Sequence, residues 1–303
     1  MCAVRRCFGV QLVTVQQASQ GRECLSPVTF TSERDVCDPP YPFNREDIRM
    51  DLGLRGRIAI VTGASKGIGR ACAERLAAEG VNLYLVSRSA VDLDALAAML
   101  RQEHNVSVIT LAADLGTQEG VRQLVATALD VDILVNNAGA IPQGTIDVVD
   151  DAKWRHAWDL KVFGYINLMR VYNARMRDKG RGVIVNIIGA GGERPSAAYA
   201  AGAGGNAALM ALTRAMGGAS PAYGVRIVGI NPGAIATDRM VTMLSVRAKE
   251  RWSDAARWKE LLDPKFPPGT PAQIADAIAF LASDRSAYTT GTILTIDGGH
   301  CSR

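Results

Sequence analysis

The clearest candidate for chemistry is a glycine-rich stretch, TGASKGIG, at residues 62–69. Gly63 allows a tight turn, Gly67 lets a phosphate approach the backbone, and Gly69 lets the following helix pack close to the preceding strand. The free N–H groups at the start of that helix attract negative charge. The spacing predicts a site for the pyrophosphate of a dinucleotide. The simpler alternative is a tight turn between a strand and a helix with no ligand.

Seven short runs rich in Val and Ile are the elements that must position this stretch. Several are apolar throughout, which is typical of strands buried on both faces. Helical segments alternate with them, such as RACAERLAAEG with Gly80 as its C-cap. The alternation predicts an α/β fold, a doubly wound, mostly parallel seven-stranded sheet with helices on both faces (Rossmann-like), and ligands at the carboxyl ends of the strands. The runs are RIAIVTG, VNLYLVS, VSVITLAAD, DILVNNAG, GVIVNIIG, VRIVGINPG and TILTIDGG.

Composition and charge exclude several functional classes. The chain has 303 residues, of which 48% are hydrophobic and 21% charged, as expected for one large soluble domain. A net charge of +4, dispersed along the chain, predicts no nucleic-acid partner. No apolar run approaches the ~20 residues of a membrane span, so we expect no membrane partner. The six cysteines show no CxxC spacing, and we expect no metal site.

The first 49 residues differ in character from the rest. They contain no lysine, and MDLGLRGRIAIVTG, from Met50 onward, leads directly into the first predicted strand. We predict that residues 1–49 are an N-terminal extension, either disordered or read through from an upstream start, and that 50–303 form a single dinucleotide-binding domain. A targeting peptide is the alternative, because Arg5, Arg6 and Arg22 precede the first acid. Four of the six cysteines lie within these 49 residues. The remaining two, Cys72 and Cys301, give little reason to invoke an oxidising compartment, and we expect a cytoplasmic protein.

Several motifs, in order along the chain, resemble those of the short-chain dehydrogenase/reductase family. TGASKGIG is similar to its Thr-Gly-x-x-x-Gly-x-Gly signature, and Asn136-Asn137-Ala138-Gly139 is similar to its NNAG motif. Asp114 matches its adenine-contacting acid, and Asn231-Pro232-Gly233 with Thr237 matches the segment along the nicotinamide. Asp297-Gly298-Gly299 matches its closing strand. The resemblance covers residues 50–303 and implies hydride transfer between a nicotinamide cofactor and a carbonyl or alcohol.

The resemblance also implies which residues bind the cofactor, and charge indicates which cofactor it is. The second predicted strand ends in LVSRS without the acid that holds the ribose hydroxyls of NAD. Arg88 and Lys66 are two cations suited to a 2′-phosphate, so we predict NADP(H). The alternative is that both are solvated surface charges. The predicted cofactor-binding residues are Gly63, Ser65, Lys66, Gly67, Ile68, Gly69, Ser87, Arg88, Asp114, Leu115, Asn137, Ala138, Gly139, Pro232, Gly233, Ile235 and Thr237.

The positions that carry the family's acid–base chemistry hold other residues here. In the family, the tyrosine of Tyr-x-x-x-Lys supplies the proton and the lysine lowers the pKa of that tyrosine. A serine polarises the carbonyl, and an asparagine on an earlier helix supports the lysine. Alignment on the Ala-Ala-Leu of residues 207–209 puts Asn206 at the lysine position and Gly202 at the tyrosine position. Ile188-Gly189 stands at the serine position, and Lys161 stands at the asparagine position. The usual arrangement is therefore missing.

The replacements suggest a rearranged catalytic group. Lysine and asparagine have exchanged places, and Tyr199 lies three residues before Gly202, which is ~4.5 Å along a helix axis on the same face. We predict that Tyr199, Lys161 and Asn206 form a relocated acid–base group. The alternative is that Tyr199 is an ordinary aromatic residue at a helix entry and Lys161 points to solvent. A slow reductase, or a non-catalytic NADP(H)-binding scaffold subunit or sensor, would then result.

Two further features leave alternatives open. Gly202, Gly204 and Gly205 indicate close approach to the backbone, by either a neighbouring helix or a bulky ligand. In the segment that covers the substrate in the family, apolar side chains predict an apolar alcohol or ketone as substrate, unless they pack on the sheet as amphipathic helices. The resemblance implies a homodimer or homotetramer. These apolar residues are Met240, Met243, Leu244, Trp252 and Trp258.

Overall fold

The computed structural model describes residues 3–7, 10–14 and 50–302. The chain divides into two units, Met1–Met50 and the part from Asp51 onward. In the first unit, β1 (Ala3–Cys7) and β2 (Val10–Thr14) pair antiparallel. The rest of residues 1–49 lies outside the described residues. The prediction of a disordered or read-through extension stays a prediction.

A seven-stranded sheet is the centre of the second unit, and all its neighbouring strands pair in parallel. Its spatial order is β5-β4-β3-β6-β7-β8-β9, so the direction of winding reverses between β3 and β6. At such a switch point the loops at the strands' carboxyl ends diverge and leave a crevice for a ligand. The strands are β3 (Ile58–Thr62), β4 (Asn82–Ser87), β5 (Val108–Ala112), β6 (Ile133–Asn136), β7 (Gly182–Ile187), β8 (Val225–Pro232) and β9 (Ile293–Ile296).

Helices cover both faces of this sheet, which confirms the predicted doubly wound α/β fold. One core contains Leu76, Leu93 and Ile278, from α1, α2 and α8. The other contains Leu124 and Leu209, from α3 and α6, with Tyr172 of α5. The helices are α1 (Gly67–Ala78), α2 (Ala90–His104), α3 (Gln118–Thr127), α4 (Asp151–Trp158), α5 (Gly164–Lys179), α6 (Ala200–Ala219), α7 (Asp238–Trp252) and α8 (Pro271–Ala282).

Two local features matter for the site. A π-helical turn, Asp159–Phe163, joins α4 to α5 without a break. Thr237 directly precedes helix α7, and its side chain accepts a hydrogen bond from the backbone N–H of Met240 and so caps the helix. Among the described helices, none has the length and apolar character needed to cross a membrane.

Candidate active site

The glycine turn after β3 has the conformation that its spacing predicts. Gly63 and Gly67 have φ of +67° and +56°, in the left-handed region that favours glycine. A Cβ on Gly69 would lie 2.2 Å from the carbonyl oxygen of Gly63, so α1 approaches the turn more closely than any side chain allows. The turn is therefore an open backbone cradle at the start of a helix, which fits a pyrophosphate.

The loop after β6 holds this turn in place. The Thr62 hydroxyl accepts hydrogen bonds from the backbone N–H groups of Asn137 (2.9 Å) and Ala138 (3.0 Å). The Asn137 amide donates to the carbonyl of Thr62 at 2.9 Å. Thr62 is itself buried. Thr62 was not among the predicted site residues, although it opens the motif, and it connects two strand ends that are separated in sequence.

A single cleft of about 1330 Å³ runs along the carboxyl ends of the strands and includes most of the predicted residues. Those that line it are Gly63, Lys66, Gly67, Ile68, Asn137, Ala138, Gly139, Lys161, Tyr199, Asn206, Pro232, Gly233, Ile235 and Thr237. The other predicted cofactor residues lie outside the lining. They are Ser65, Gly69, Ser87, Arg88, Asp114 and Leu115.

The residues outside the lining have local partners of their own. The Asp114 carboxylate accepts a hydrogen bond from the backbone N–H of Gly116 at 2.9 Å. Ser87 accepts one from the N–H of Ser89 at 3.2 Å. The Leu115 side chain is buried in the core, so it has only backbone atoms to offer a ligand. Contact of these residues with a cofactor stays a prediction.

Both predicted cations are accessible at the turn's edge. Lys66 precedes α1, its side chain is 68% exposed, and its Nζ lies 3.7 Å from the Asp92 carboxylate. Arg88 follows β4 and is exposed, and within the described part of the chain it forms no ion pair. Asp92 therefore offsets part of the Lys66 charge, whereas the Arg88 guanidinium remains available to an anion.

Lys161 lies on the π turn and is 7% exposed, so the alternative that it points to solvent is wrong. Its Nζ donates hydrogen bonds to the Ile187 carbonyl at 2.5 Å and to the Tyr165 hydroxyl at 2.9 Å. Its stem fills the space beside Gly139, where a Cβ would lie 2.6 Å from Lys161 Cδ. Burial lowers the pKa of Lys161 to about 7, and the positive charge of Arg239 acts in the same direction.

The ring of Tyr199 lies over Gly202, the residue that the sequence alignment puts at the family's tyrosine position. Tyr199 precedes the first residue of α6, and a Cβ on Gly202 would lie 1.9 Å from its Cζ. Its ring therefore covers Gly202 and requires a glycine there. Burial raises the pKa of Tyr199, while the charge of Arg239 and a hydrogen bond from Arg239 partly oppose this change.

The other glycines of α6 are explained by a neighbouring helix. A Cβ on Gly205 would lie 3.0 Å from Val162 Cγ2 and 3.3 Å from Trp158 Nε1, and one on Gly204 would touch Trp158. The Trp158 indole donates a hydrogen bond to the Ala201 carbonyl at 2.9 Å. Close packing between α6 and the segment from α4 through the π turn accounts for these two glycines.

Asn206 faces the end of β7 from the other side. It is 3% exposed, and its Nδ2 would lie 3.0 Å from a Cβ on Gly189, whose φ is +138°. Its Oδ1 is buried without a hydrogen-bond partner among the described residues, a state that costs about 1–3 kcal/mol. Tyr199, Lys161 and Asn206 thus line one cleft, but among the described residues no hydrogen bond joins Lys161 to Tyr199.

Two further residues, one beside Lys161 and one on α7, were not predicted. Tyr165 lies four residues after Lys161, a helical spacing that places the two side chains on one face and that could have revealed it. Arg239, near the start of α7, donates to the carbonyls of Gly139 and Ile141, both at 2.9 Å. No sequence pattern connects Arg239 with that loop.

The segment that covers the substrate in the family differs in part from its prediction. Met240, Met243 and Leu244 line the cleft as expected, but Trp252 and Trp258 do not. The Trp252 ring stacks instead against the Arg257 guanidinium, 4.5 Å from the ring centroid, so the prediction is wrong for these two tryptophans. Three arginines line the cleft too, namely Arg194, Arg239 and Arg247. Across residues 50–302 and the β1–β2 pair, no cluster of three or more His, Cys, Asp or Glu side chains could hold a metal ion.

The family model described as short chain dehydrogenase matches residues 57–247. The chain therefore belongs to the short-chain dehydrogenase family, as the motifs predict. It is 34% identical over 255 residues to L-xylulose reductase from Mesocricetus auratus, covering 82% of this chain and 98% of that protein. It is 34% identical over 263 residues to galactitol 2-dehydrogenase (L-tagatose-forming) from Cereibacter sphaeroides, with coverages of 84% and 98%.

A solved structure is also similar to this protein. L-sorbose reductase from Gluconobacter frateurii, in complex with NADPH and L-sorbose, superimposes with a TM-score of 0.77 at 30% sequence identity. The match covers 84% of this chain and 100% of that chain. These three relatives are reductases and dehydrogenases that act on sugars or sugar alcohols.

Proposed function

We propose that this protein is an NADP(H)-dependent oxidoreductase that interconverts the carbonyl and alcohol forms of a small hydroxylated substrate. One observation carries the proposal: the glycine turn and Lys161, whose amine is buried, line the same cleft. The chemistry that NADP(H) would supply there, when bound, is the transfer of a hydride. The similarity to a reductase solved with NADPH supports the choice of cofactor.

The residues present suit the cofactor. The glycine turn would hold the pyrophosphate, and Lys66 and Arg88 would pair with the 2′-phosphate. The loop at Asn137–Gly139 and the segment at Pro232–Thr237 would border the nicotinamide, because both line the cleft beside Lys161. Each charge-assisted phosphate contact is worth about 1.5–3 kcal/mol.

Within the rearranged acid–base group, Lys161 carries the proton. With a pKa of about 7, its ammonium can donate a proton from Nζ to the oxygen of a reduced carbonyl, and its neutral amine can take one up in the reverse direction. Tyr199 retains its proton because burial raises the pKa of the phenol, and it closes the cleft over Gly202. Asn206 is the third member of the proposed group and lines the cleft near the end of β7.

The arginines of the lining and the three relatives named above support a polyhydroxylated ketone or alcohol rather than the apolar substrate that the methionines of α7 suggested. Arg194, Arg239 and Arg247 supply hydrogen-bond donors beside Met240 and Met243. The names of the three relatives include L-xylulose, L-sorbose and galactitol, which are all polyhydroxylated. A homodimer or homotetramer and a cytoplasmic location stay predictions.

The test is a fluorescence titration with NADPH and NADH, followed by NADPH oxidation with L-xylulose, L-sorbose, L-tagatose and matched plain ketones. The proposal expects tighter binding of NADPH than of NADH, and turnover of at least one hydroxylated ketone. Binding without oxidation across the panel would favour the scaffold or sensor alternative, which the replaced family positions at Gly202 and Asn206 make a specific rival. Absence of NADPH binding at millimolar concentration would refute both.

A further inference from the structure

A buried tyrosine beside Lys161 is left without a role by the proposed reaction. Tyr165 is 1% exposed in the first turn of α5. Its Oη lies 2.9 Å from Lys161 Nζ and 2.9 Å from the carbonyl oxygen of Ile187, which also accepts from Nζ at 2.5 Å. Three polar atoms therefore form a closed triangle at the carboxyl end of β7.

The backbone geometry makes this triangle possible. Lys161 lies within the π turn, and Tyr165 follows it by four residues at the start of α5. A π turn reorients side chains within a continuous helix and is frequent at functional sites. Here it directs both the amine and the phenol toward the same carbonyl of β7. The amine also lies 4.6 Å from the centroid of the Tyr165 ring, within range of a cation–π attraction.

The other groups that face Lys161 do not offset its charge. Arg239 approaches from α7 with a charge of the same sign and disfavours the ammonium. Tyr199 lines the cleft from the start of α6 but does not hydrogen-bond to Nζ among the described residues, and the side chain of Asn206 is neutral. Within the described part of the chain no carboxylate pairs with Lys161, and its hydrogen-bond acceptors are the Ile187 carbonyl and the Tyr165 hydroxyl. A buried ammonium depends on such partners to remain charged.

We propose that Tyr165 is a positioning residue that fixes the Lys161 amine at the end of β7 and keeps it protonated near neutral pH. This inference rests on the proposed function, in which Lys161 is the proton donor. Tyr165 acts through Lys161, because it is absent from the lining of the cleft and so does not face a ligand there.

A second tyrosine on the same helix provides a matched control. Tyr172 of α5 is also fully buried, and its hydroxyl donates to the Ala128 carbonyl at 3.0 Å. It too lies beside a cation, with the Arg175 guanidinium 5.4 Å from its ring centroid. It does not line the cleft. Tyr172→Phe therefore removes a comparable buried hydroxyl without altering the surroundings of Lys161.

The experiment follows the Lys161 amine directly by NMR titration of ¹³Cε-labelled lysine, with the resonance assigned by its loss in Lys161→Met. In the parent, the midpoint is expected at about 7. In Tyr165→Phe, loss of one hydrogen bond to the charged form should lower the midpoint by about one pH unit. In Tyr172→Phe it should not move. Equal midpoints in the parent and Tyr165→Phe, or equal shifts in both variants, would overturn the inference.

Activity separates this inference from the proposed function. If both hold, the pH profile of kcat for carbonyl reduction moves with the NMR midpoint in Tyr165→Phe and stays in place in Tyr172→Phe. If the midpoint shifts but the protein fails to oxidise NADPH with any ketone of the panel, the positioning role stands and the reductase is refuted. Should Tyr165→Phe fail to fold, 4-fluorophenylalanine at position 165 fills the space of the hydroxyl and removes its hydrogen bond to Lys161. The same downward shift is then expected, and no shift would overturn the inference.

Discussion

The two ends of the cleft are built on different principles. At the cofactor end, backbone atoms form the site: Gly63 and Gly67 have conformations that favour glycine, and Gly69 allows α1 to approach the turn. At the end proposed for acid–base chemistry, side chains from the π turn, from α6 with the residue before it, and from α7 meet. A backbone site depends on a short local spacing and can be read from a motif. A side-chain site that draws on several elements depends on how those elements pack together.

The largest effect that would test this comparison is expected at the acid–base end. Lys161→Met removes the proposed proton donor, and loss of a general acid typically lowers kcat by about 10²–10⁴-fold. The NADPH dissociation constant should not change, because the glycine turn is untouched. Steady-state kinetics with a substrate identified in the panel, together with fluorescence titration, measures both. Turnover at the parental rate would remove Lys161 from the mechanism.

At the cofactor end, a double variant tests the choice of nucleotide. Lys66→Ala with Arg88→Ala should weaken NADPH binding by roughly 10- to 100-fold per lost phosphate contact and leave NADH affinity nearly unchanged. Arg122→Ala is the control, since this exposed cation on α3 pairs with Glu119 and lies outside the cleft. If NADPH and NADH affinities fall equally, the two cations do not recognise the 2′-phosphate.

The close approach of α1 to the glycine turn gives the next test. Gly69→Ala places a Cβ 2.2 Å from the Gly63 carbonyl oxygen, so the backbone must shift, at a cost of about 1–3 kcal/mol in unfolding free energy and with weaker NADPH binding. Gly218→Ala, in α6 with nothing within 4 Å of the added Cβ, should instead stabilise the protein by up to about 1 kcal/mol. Urea unfolding of both variants measures the difference. A neutral Gly69→Ala would show that the turn tolerates a side chain.

A pH-dependent effect on stability gives a further test at the end of the cleft that holds Lys161. Because the pKa of Lys161 is about 7 in the folded protein and 10.5 for an ordinary lysine, the unfolded chain binds more protons between these values. Stability therefore rises with pH in this interval, by at most about 1.4 kcal/mol per pH unit, and is lowered most below pH about 7. Lys161→Met lacks this dependence. The free energy of unfolding of this variant, relative to that of the parent, should therefore be highest at pH 6 and should fall by pH 9.5.

Urea unfolding at pH 6, 8 and 9.5 checks this prediction. Tyr172→Phe serves as the control, because it should displace the stability of the parent by the same amount at each pH. A difference between Lys161→Met and the parent that does not vary with pH would mean that the amine titrates normally in the folded protein.

By itself, the sequence determined the parallel sheet, the order of its elements and the glycine turn, because strand periodicity and the conformational freedom of Gly63 and Gly67 are local properties. Only the tertiary structure decided that Lys161 is buried against Ile187, that the ring of Tyr199 covers Gly202, and that Trp252 faces away from the cleft. These outcomes depend on contacts between residues far apart in the chain, such as Arg239 with Gly139. Burial and packing between such segments, rather than the type of each residue, determine whether an amine is charged and where a ring lies.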